Sequence, residues 1–270
     1  MDAEPLLASL PPALRGRLTP LAGGYTNRCF RLNTETQSYW LRLGCEAPAS
    51  LGIDRHLELM AHGLAAEAGL APAIRYADAG SGLLVLDWLN EPDWRQAPGT
   101  LAALMPKVAQ LHGLKVPDLP LLSLTQRVQH YLDQLHSLPA WLAPLLAAFE
   151  RPALNPTFVP ALCHCDLTAG NVLGPRPWLL DWEYAALADP AFELAVIADD
   201  RGLNDAGCNE LLAHYRAAGG EMSAARLRAR LPWVQLLTLL WAMVQHQHSG
   251  KAEYKDWLEA ARALLTKSLG

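Results

Sequence analysis

The sequence predicts an α+β protein of two lobes, in which an antiparallel sheet with one helix precedes a larger helical lobe. Two patterns support this fold class. Short alternating segments, separated by glycine-bearing turns, fill most of residues 18–88. Leu-rich segments with helical spacing dominate the chain from residue 100 onward. Residues 90–99 contain two prolines and several charges, so we predict lobes of residues 1–90 and 91–270.

The first lobe is predicted to contain a sheet and one long helix. A Pro-interrupted helix over residues 1–18 would cover one side of the lobe with its leucines. The apolar stripe of residues 53–68 fits a helix that ends at Gly69. Strands are predicted over residues 18–32, interrupted by a glycine turn, and over residues 38–43, 73–77 and 82–88.

The second lobe is predicted to be helical around one short hairpin. Pro106 and Pro232 are expected to kink or break the helices that contain them. Asp189 and Pro190 have the residue types of a helix N-cap and first turn. Helices are predicted over residues 100–114, 124–138, 140–149, 204–218, 223–248 and 252–269, and one begins at residue 189.

A Gly-Gly turn and a strand arginine stand out in the first lobe, and the family resemblance described below implies that both contact phosphates. At Gly23 and Gly24, backbone N–H groups could approach phosphate oxygens that a side chain would block. Arg42 lies on the strand face opposite Leu41 and Leu43, and an arginine can bind two phosphate oxygens at once. The alternative interpretations are a plain hairpin turn and a solvated strand arginine.

Residues 164–173 and 178–184 carry the most informative pattern of the chain. Residues 172–173 and 178–180 can pair as short strands, which brings Asn171 and Asp181 to the same end. Their oxygens suit a hard cation such as Mg²⁺, and Asp166 would lie within reach of a hydroxyl held beside it. This spacing matches the catalytic loop and metal aspartate of kinase-type phosphotransferases.

Cys163, His164 and Cys165 suggest zinc as another hypothesis for the same loop. Alternate side chains of an extended segment point to opposite sides, so the two cysteines would face away from the histidine. Zinc normally takes four ligands, and no partner pair is visible nearby. We therefore favour the magnesium interpretation and read His164 as a residue that organises the loop.

These motifs resemble the small-molecule kinases related to aminoglycoside phosphotransferases, and especially the choline, ethanolamine and thiamine kinase branch. In that branch the metal aspartate is followed by an aromatic residue and Glu, as in Asp181-Trp182-Glu183. The Gly-Gly-x-Thr-Asn stretch at residues 23–27 is similar to the segment that covers the nucleotide phosphates in choline kinases. The resemblance implies a two-lobed protein-kinase-like fold that uses ATP and Mg²⁺.

The resemblance also implies roles for individual residues. Asp166 would be the catalytic base, and Asn171 and Asp181 would hold Mg²⁺. Glu58 would orient Arg42. The nucleotide contacts implied by the resemblance are Gly23, Gly24, Thr26, Asn27, Arg42 and Glu58, together with the backbone of a hinge at Asp87, Trp88 and Leu89.

The resemblance implies a small alcohol as acceptor, and choline or thiamine, which are both cationic, as the first candidates. Aromatic faces backed by a carboxylate hold a quaternary ammonium well, although simple core packing is the alternative for each tryptophan. The candidate acceptor contacts are Trp182, Glu183, Tyr184, Trp233 and Trp241.

Two other functions stay open at this stage. An aminoglycoside or sugar kinase is one, but a polycationic antibiotic calls for a dense acidic cluster, which the C-terminal sequence lacks. A catalytically inactive nucleotide-binding protein of the same fold is the other. It would be expected to have lost Asp166, Asn171 or Asp181, and all three are present.

Composition limits the partners and the compartment. A net charge of -5 and a pI near 6.0, without a run of Lys or Arg, provide no footprint for nucleic acid or an anionic membrane. The longest apolar runs, at residues 138–149 and 231–244, are too short or too interrupted to span a bilayer. Five scattered cysteines favour a reducing compartment, and the acidic start argues against a secretory signal, so we expect a cytoplasmic protein.

Overall fold

The computed structural model describes residues 7, 10–21, 27–45, 47–116 and 119–269. Five strands of these residues form an antiparallel sheet: β1 (Arg17–Pro20), β2 (Arg28–Asn33), β3 (Ser38–Leu43), β4 (Ile74–Asp78) and β5 (Leu83–Asp87). Their order across the sheet is β1-β2-β3-β5-β4. This sheet confirms the strands predicted for the first lobe. Residues 1–6, 8 and 9 of the helix predicted over residues 1–18 lie outside the described residues. In the described part of that segment, Pro12–Leu14 form a short 3-10 helix, and Arg17 and Leu18 belong to β1, so a helix that extends to residue 18 is wrong.

The two faces of the sheet differ because side chains alternate along each strand. One face carries a buried apolar cluster that includes Phe30, Leu32 and Leu41. Arg42 lies next to Leu41 on β3 and therefore points to the opposite face, yet it is also buried. The positive charge of Arg42 therefore faces the helix that packs on this second face of the sheet.

That helix is α1 (Arg55–Glu67), which agrees with the helix predicted over residues 53–68. The side chain of Asp54 caps it by accepting hydrogen bonds from the N–H groups of His56, at 2.9 Å, and Leu57, at 3.2 Å. Gly69 has a φ of 68°, the left-handed conformation that commonly ends a helix. The N-cap fixes the first turn, in which Arg55 and Glu58 lie three residues apart.

The rest of the chain is mainly helical and buries the larger apolar cluster. Its helices are α2 (Leu101–His112), α3 (Leu124–Leu132), α4 (Leu142–Ala147), α5 (Pro190–Asp200), α6 (Asp205–Ala217), α7 (Ala224–Ser249) and α8 (Ala252–Leu269). The predicted helices are confirmed, except that α3 ends at Leu132 rather than near residue 138. The break predicted near Pro232 is wrong, because α7 continues through this buried proline.

Two small sheets position the loop of residues 164–171 in the helical lobe. The predicted hairpin is present as β7 (Val172–Leu173) paired with β8 (Trp178–Leu179). A second pair joins β6 (Ala161–Cys163) to β9 (Ala186–Ala188), and the sequence analysis did not predict it. The residues between β6 and β7 are therefore anchored at both ends. Over the residues that the structure describes, none of the helices combines the length and apolarity that a membrane crossing requires.

Candidate active site

A buried glutamate of α5 binds the loop between β6 and β7 through hydrogen bonds. Glu193 is completely buried, and its Oε2 accepts hydrogen bonds from the backbone N–H groups of His164 and, at 3.2 Å, Cys165. Cys165 has a φ of 65°, a conformation that costs a non-glycine residue about 1–3 kcal/mol. The bonds from Glu193 help to offset this cost, and they fix the direction in which the next residue, Asp166, leaves the loop.

Two further contacts hold the same loop. His164 is buried, its Nε2 lies 2.7 Å from the carbonyl oxygen of Leu180, and its ring packs on Trp182 at 4.7 Å between centroids. Burial lowers the pKa of His164 to about 4, so the ring is neutral near pH 7. Asp200 accepts a hydrogen bond from the N–H of Ala169 at 2.9 Å. His164 is therefore built into the scaffold of the loop, in agreement with the sequence analysis.

Asn171 is held directly against Asp166. Its Nδ2 donates to the backbone carbonyl of Asp166 at 2.8 Å and to the carboxylate Oδ2 at 2.9 Å. Within the described residues this leaves Asn171 Oδ1 without a hydrogen-bond donor. The N–H of Leu180 donates to the backbone carbonyl of Asn171 at 2.9 Å, which extends the hairpin by one residue. Asp181 therefore follows at the same end of the hairpin as Asn171.

Asp181 lies in an environment of excess negative charge. It has a φ of 62°, and its Oδ1 is 3.4 Å from Nη1 of Arg42. Burial, and after it the negative charge of Glu183, raise the pKa of Asp181 to about 8. Burial, followed by the charges of Asp181 and Glu183, raises the pKa of Asp166 well above its usual range. A cation bound among these carboxylates would relieve their mutual repulsion.

Arg42 forms a two-point ion pair with Glu58 of α1. Nη1 contacts Oε1, and Nη2 donates to Oε2 at 2.8 Å. Both side chains are essentially inaccessible, at 2% and 0% exposure. Burial alone would lower the pKa of Arg42, but the hydrogen bond to Glu58, together with the negative charges of Glu58, Asp181 and Glu183, outweighs burial and raises that pKa. The arginine is therefore charged and fixed in direction, with its Nη1 side towards Asp181.

A second buried arginine joins Glu58 to the segment after Asp181. Nη1 of Arg55 donates to Glu58 Oε2 at 2.8 Å and to Glu183 Oε2 at 3.0 Å, and its Nη2 donates to Asn27 Oδ1 at 3.0 Å. Asn27 Nδ2 donates in turn to Glu183 Oε2 at 2.9 Å. Sequence reasoning missed Arg55, although its position three residues before Glu58 was a usable signal. Three of the predicted residues, Asn27, Glu58 and Glu183, thus meet around it.

The predicted tryptophans do not come together. Trp182 has no exposed surface, since it is packed against His164 and His62, and its ring therefore supports the loop between β6 and β7. Its contact with a substrate stays a prediction. Trp233 is 1% exposed, and its Nε1 donates to the carbonyl of Leu154 at 2.9 Å. Trp241 stacks on Trp257 of α8, with 5.7 Å between ring centroids. The sequence could not separate core packing from ligand contact at these positions.

Tyr184 is the predicted aromatic residue whose phenol is affected by the charge of Asp166. The charge of Asp166 contributes to the raised pKa of its phenol, of which burial is the largest cause. The guanidinium of Arg127 lies 5.7 Å from the centre of the Tyr184 ring, and its Nη1 donates to the carbonyl of Leu51 at 3.0 Å. Sequence reasoning missed Arg127, because nothing in the pattern of α3 marks it as facing Tyr184.

The hinge predicted at residues 87–89 follows β5 directly. The N–H of Asp87 donates to the carbonyl of Ala73, and its carboxylate forms a two-point ion pair with Arg75 at 2.7 Å for each contact. The ring of Trp88 lies 4.5 Å from the guanidinium of Arg31. A groove of about 810 Å³ borders this segment, and its lining includes Trp88 and Leu89. The predicted phosphate contacts Gly23, Gly24 and Thr26 lie outside the described residues.

The phosphotransferase enzyme family has a sequence model that matches residues 17–234 of this chain. The chain belongs to this family. Protein LicA of Haemophilus influenzae is 24% identical over 249 residues, which are 84% of this chain and 73% of LicA. A choline/ethanolamine kinase family protein of Mesorhizobium loti has a solved structure that superposes with a TM-score of 0.81 at 26% identity, over 99% of this chain and 93% of that one.

Choline kinase LicA of Streptococcus pneumoniae has the same fold, with a TM-score of 0.80 at 18% identity over 94% of this chain and 93% of its own. The two-lobed, kinase-like α+β fold predicted from the sequence is therefore confirmed, as is membership of the aminoglycoside phosphotransferase and choline kinase superfamily. The activity that gives the family its name is the transfer of a phosphoryl group. A structure of LicA in complex with AMP has the same fold, with a TM-score of 0.80 at 17% identity over 98% of this chain and 96% of its own.

The phosphotransferase site fits a magnesium ion by the chemistry of its donors. Asn171 Oδ1 has no donor among the described residues, and the Asp181 carboxylate is destabilised by its acidic neighbours. Oxygen donors of this kind are those that Mg²⁺ takes from proteins, usually one or two at a time, with water and phosphate completing the shell. The ligand atoms of His112, Cys163 and Glu193 also lie within 4.8 Å of one another, but none of these three residues is a predicted magnesium ligand.

Proposed function

We propose that the protein transfers the γ-phosphoryl group of ATP to the hydroxyl group of a small alcohol, with choline and thiamine as the first acceptors to test. The contact that carries this proposal is the pairing of Asn171 with Asp166, beside an aspartate that faces a buried, charged Arg42. The similarity to choline kinases supports choline. Thiamine shares with choline a quaternary nitrogen and a primary alcohol.

Asp166 is the proposed base. Asn171 occupies its Oδ2, so Oδ1 is the oxygen left to accept a hydrogen bond from the acceptor hydroxyl. Asp166 would orient that hydroxyl for in-line attack and take its proton as the new bond to phosphorus forms. The raised pKa of Asp166 favours this role, since a carboxylate with a higher pKa is a better proton acceptor.

The nucleotide is proposed to lie between the lobes. Arg42 would contact the phosphates, and Glu58 keeps its guanidinium charged and aimed. The turn at Gly23, Gly24 and Thr26 would cover them, with Asn27 at its end. Since the N–H of Asp87 is already bonded to Ala73, the hinge groups open to adenine are those of Trp88 and Leu89.

Mg²⁺ would be held by Asn171 and Asp181, where it would neutralise charge on the phosphates of ATP. Asp181 is aimed by its left-handed backbone conformation and by the contact with Arg42. Asn171 is aimed by its two hydrogen bonds to Asp166. The protein's share of this step is therefore to present two oxygens in fixed directions.

The acceptor is proposed to bind next to Tyr184. The hydroxyl of Tyr184 is buried and has no hydrogen-bond partner within the described part of the chain. It can therefore form a hydrogen bond with a polar group of the acceptor. Trp233 lines a separate cavity of about 220 Å³ with Phe158 and Phe192, and a contribution from Trp233 or Trp241 stays a prediction.

The proposal is tested by measuring ADP release from Mg-ATP with choline, ethanolamine, thiamine and an aminoglycoside in turn. We expect choline or thiamine to stimulate release, and Asp166→Asn to lower kcat by roughly 10²- to 10⁴-fold while ATP binding persists. Tight ATP binding with no release for any acceptor would instead identify an inactive nucleotide-binding protein. Wild-type turnover by Asp166→Asn would remove the assignment of the base.

A further inference from the structure

We propose that Arg55, Glu183 and Asn27 form a latch between the two lobes that sets the distance between Arg42 and Asp181. In this proposal Arg55 and Glu183 are positioning residues, and Glu183 binds protein groups instead of substrate or metal. The kinetic consequence rests on the proposed phosphotransferase function, whereas the latch itself rests on contacts in the ligand-free protein.

The three residues come from separate parts of the fold. Arg55 begins α1 in the N-terminal lobe, Asn27 precedes β2 at the end of the predicted phosphate turn, and Glu183 follows Asp181 in the C-terminal lobe. Glu183 Oε2 accepts from Arg55 Nη1 at 3.0 Å and from Asn27 Nδ2 at 2.9 Å. One carboxylate oxygen of the C-terminal lobe is thus bound by two groups of the N-terminal lobe.

The latch is buried, which distinguishes it from a surface ion pair. The side chains of Arg55 and Glu183 are each 5% exposed, and that of Glu58 is 0% exposed. Exposed pairs contribute little because water and salt screen them. Removing one partner of a buried pair leaves an uncompensated charge, which strongly destabilises the arrangement. Arg55 therefore favours contact between the lobes as long as it pairs with both Glu58 and Glu183.

The latch connects to the predicted catalytic groups through Glu58. Glu58 Oε2 accepts from Arg55 Nη1 and from Arg42 Nη2, both at 2.8 Å. Without Arg55, Glu58 and Glu183 would keep their negative charges but lose the cation between them. Their repulsion would move α1, and with it Arg42, away from Asp181. Arg55 therefore acts on the phosphate site through two other residues.

The geometric test is hydrogen–deuterium exchange of the full-length, ligand-free protein. Arg55→Met should speed exchange in residues 27–33 of the N-terminal lobe and also in residues 180–188 of the C-terminal lobe. Arg228→Met is the matched control. Arg228 forms an exposed ion pair with Asp205, with 3.6 Å between the nitrogen and the oxygen, and it takes no part in the latch. Faster exchange confined to α1 would overturn the latch. Arg55→Lys, which keeps the charge but loses the second contact, should show a smaller change if Arg55→Met fails to fold.

The kinetic test is a double-mutant cycle of Arg55→Met and Glu183→Gln. We expect each variant to lower kcat/KM for Mg-ATP roughly 10- to 100-fold, because small misplacements of reacting groups cost up to about 100-fold. The double variant should be no less active than the less active of the two single variants, since both substitutions remove the same contact between Arg55 and Glu183. The KM for the acceptor should stay within about twofold in each variant. If the fold-losses in kcat/KM of the two single variants multiplied in the double variant, the two residues would act independently and the latch would be wrong.

The two tests separate the latch from the proposed function. If no acceptor is phosphorylated but exchange rises in both lobes, the function is wrong and the latch holds. If phosphorylation occurs and exchange rises only in α1, the function holds and the latch is wrong.

Discussion

Asn171 donates a hydrogen bond from its side-chain amide to the carboxylate of Asp166 at 2.9 Å. This one contact joins the proposed metal ligand to the proposed base. The amide nitrogen is directed at Asp166 and the amide oxygen away from it, so a single side chain fixes the direction of both groups. The two roles should therefore fail together when Asn171 is truncated.

Asn171→Ala is expected to lower kcat roughly 100-fold, since the base loses its orientation, and to raise the Mg²⁺ concentration that gives half-maximal rate. The measurement is the initial rate as a function of Mg²⁺ at saturating ATP. Asn204→Ala is the control: Asn204 caps α6 through a 3.0 Å hydrogen bond from the N–H of Gly207. That change should cost about 1 kcal/mol of stability and leave the Mg²⁺ dependence as it is. An unchanged Mg²⁺ response in Asn171→Ala would exclude Asn171 as a ligand.

Arg42→Lys tests whether the two-point contact with Glu58 matters beyond its charge. Lysine keeps the charge but cannot bond both carboxylate oxygens in the same plane, and a lost hydrogen bond to a charged group costs about 1.5–3 kcal/mol. We expect kcat/KM for ATP to fall roughly 10- to 100-fold, measured by initial rates at fixed acceptor. Arg228→Lys, at the exposed pair with Asp205, should leave it unchanged. Equal loss in both variants would show a general effect of the substitution.

The fold and the hairpin that carries the candidate site could be predicted because short stretches of the sequence encode them. The hairpin that carries Asn171 and Asp181 is encoded by two short apolar runs and a proline-rich reversal. The N-cap of α5 is likewise encoded locally, by Asp189 and Pro190, as predicted. In both cases, residues close in the sequence are sufficient to fix the structure.

The missed features depend on contacts between distant residues. Strand β6 has three residues, and its partner β9 lies more than twenty residues later, so no local periodicity reveals the pair. Arg55 looks like an ordinary helix charge until Glu183 is brought to it across the lobes. Trp182 alternates with two acidic residues, and the sequence does not reveal that its ring is buried rather than facing a ligand.

Glu193 should make the stability of the protein depend on pH. Burial raises its pKa to about 7, even though the N–H groups of Cys165 and His164 oppose the shift. Between the unfolded value near 4.5 and about 7, the folded state binds more protons than the unfolded state, so stability falls as pH rises through this range. Relative to Glu193→Gln, the wild type should lose roughly 2–3 kcal/mol between pH 5 and pH 8.

The measurement is urea unfolding of both proteins at one-unit pH intervals, compared as a difference so that the other carboxylates cancel. The glutamine oxygen can still accept the two loop N–H bonds, so the variant should remain folded. Parallel stability curves for the two proteins would mean that Glu193 is ionised throughout this range.

Arg127 should influence the choice of acceptor without affecting the nucleotide. Its guanidinium lies 5.7 Å from the centre of the Tyr184 ring, and the bond to Leu51 holds it there. A cationic acceptor at Tyr184 would meet a positive charge already in place, and like charges oppose binding. Arg127→Gln removes that charge and is expected to lower the KM for choline or thiamine severalfold, with the KM for ATP unchanged.

The comparison that decides this is between a cationic acceptor and its neutral analogue, for example choline and 3,3-dimethylbutanol. Only the charged acceptor should gain from Arg127→Gln if the repulsion is electrostatic, and the gain should shrink at high salt because exposed charges are screened. Equal changes for both acceptors would instead mean that Arg127 shapes the pocket through its bond to Leu51, because losing the arginine uncouples Leu51 from α3.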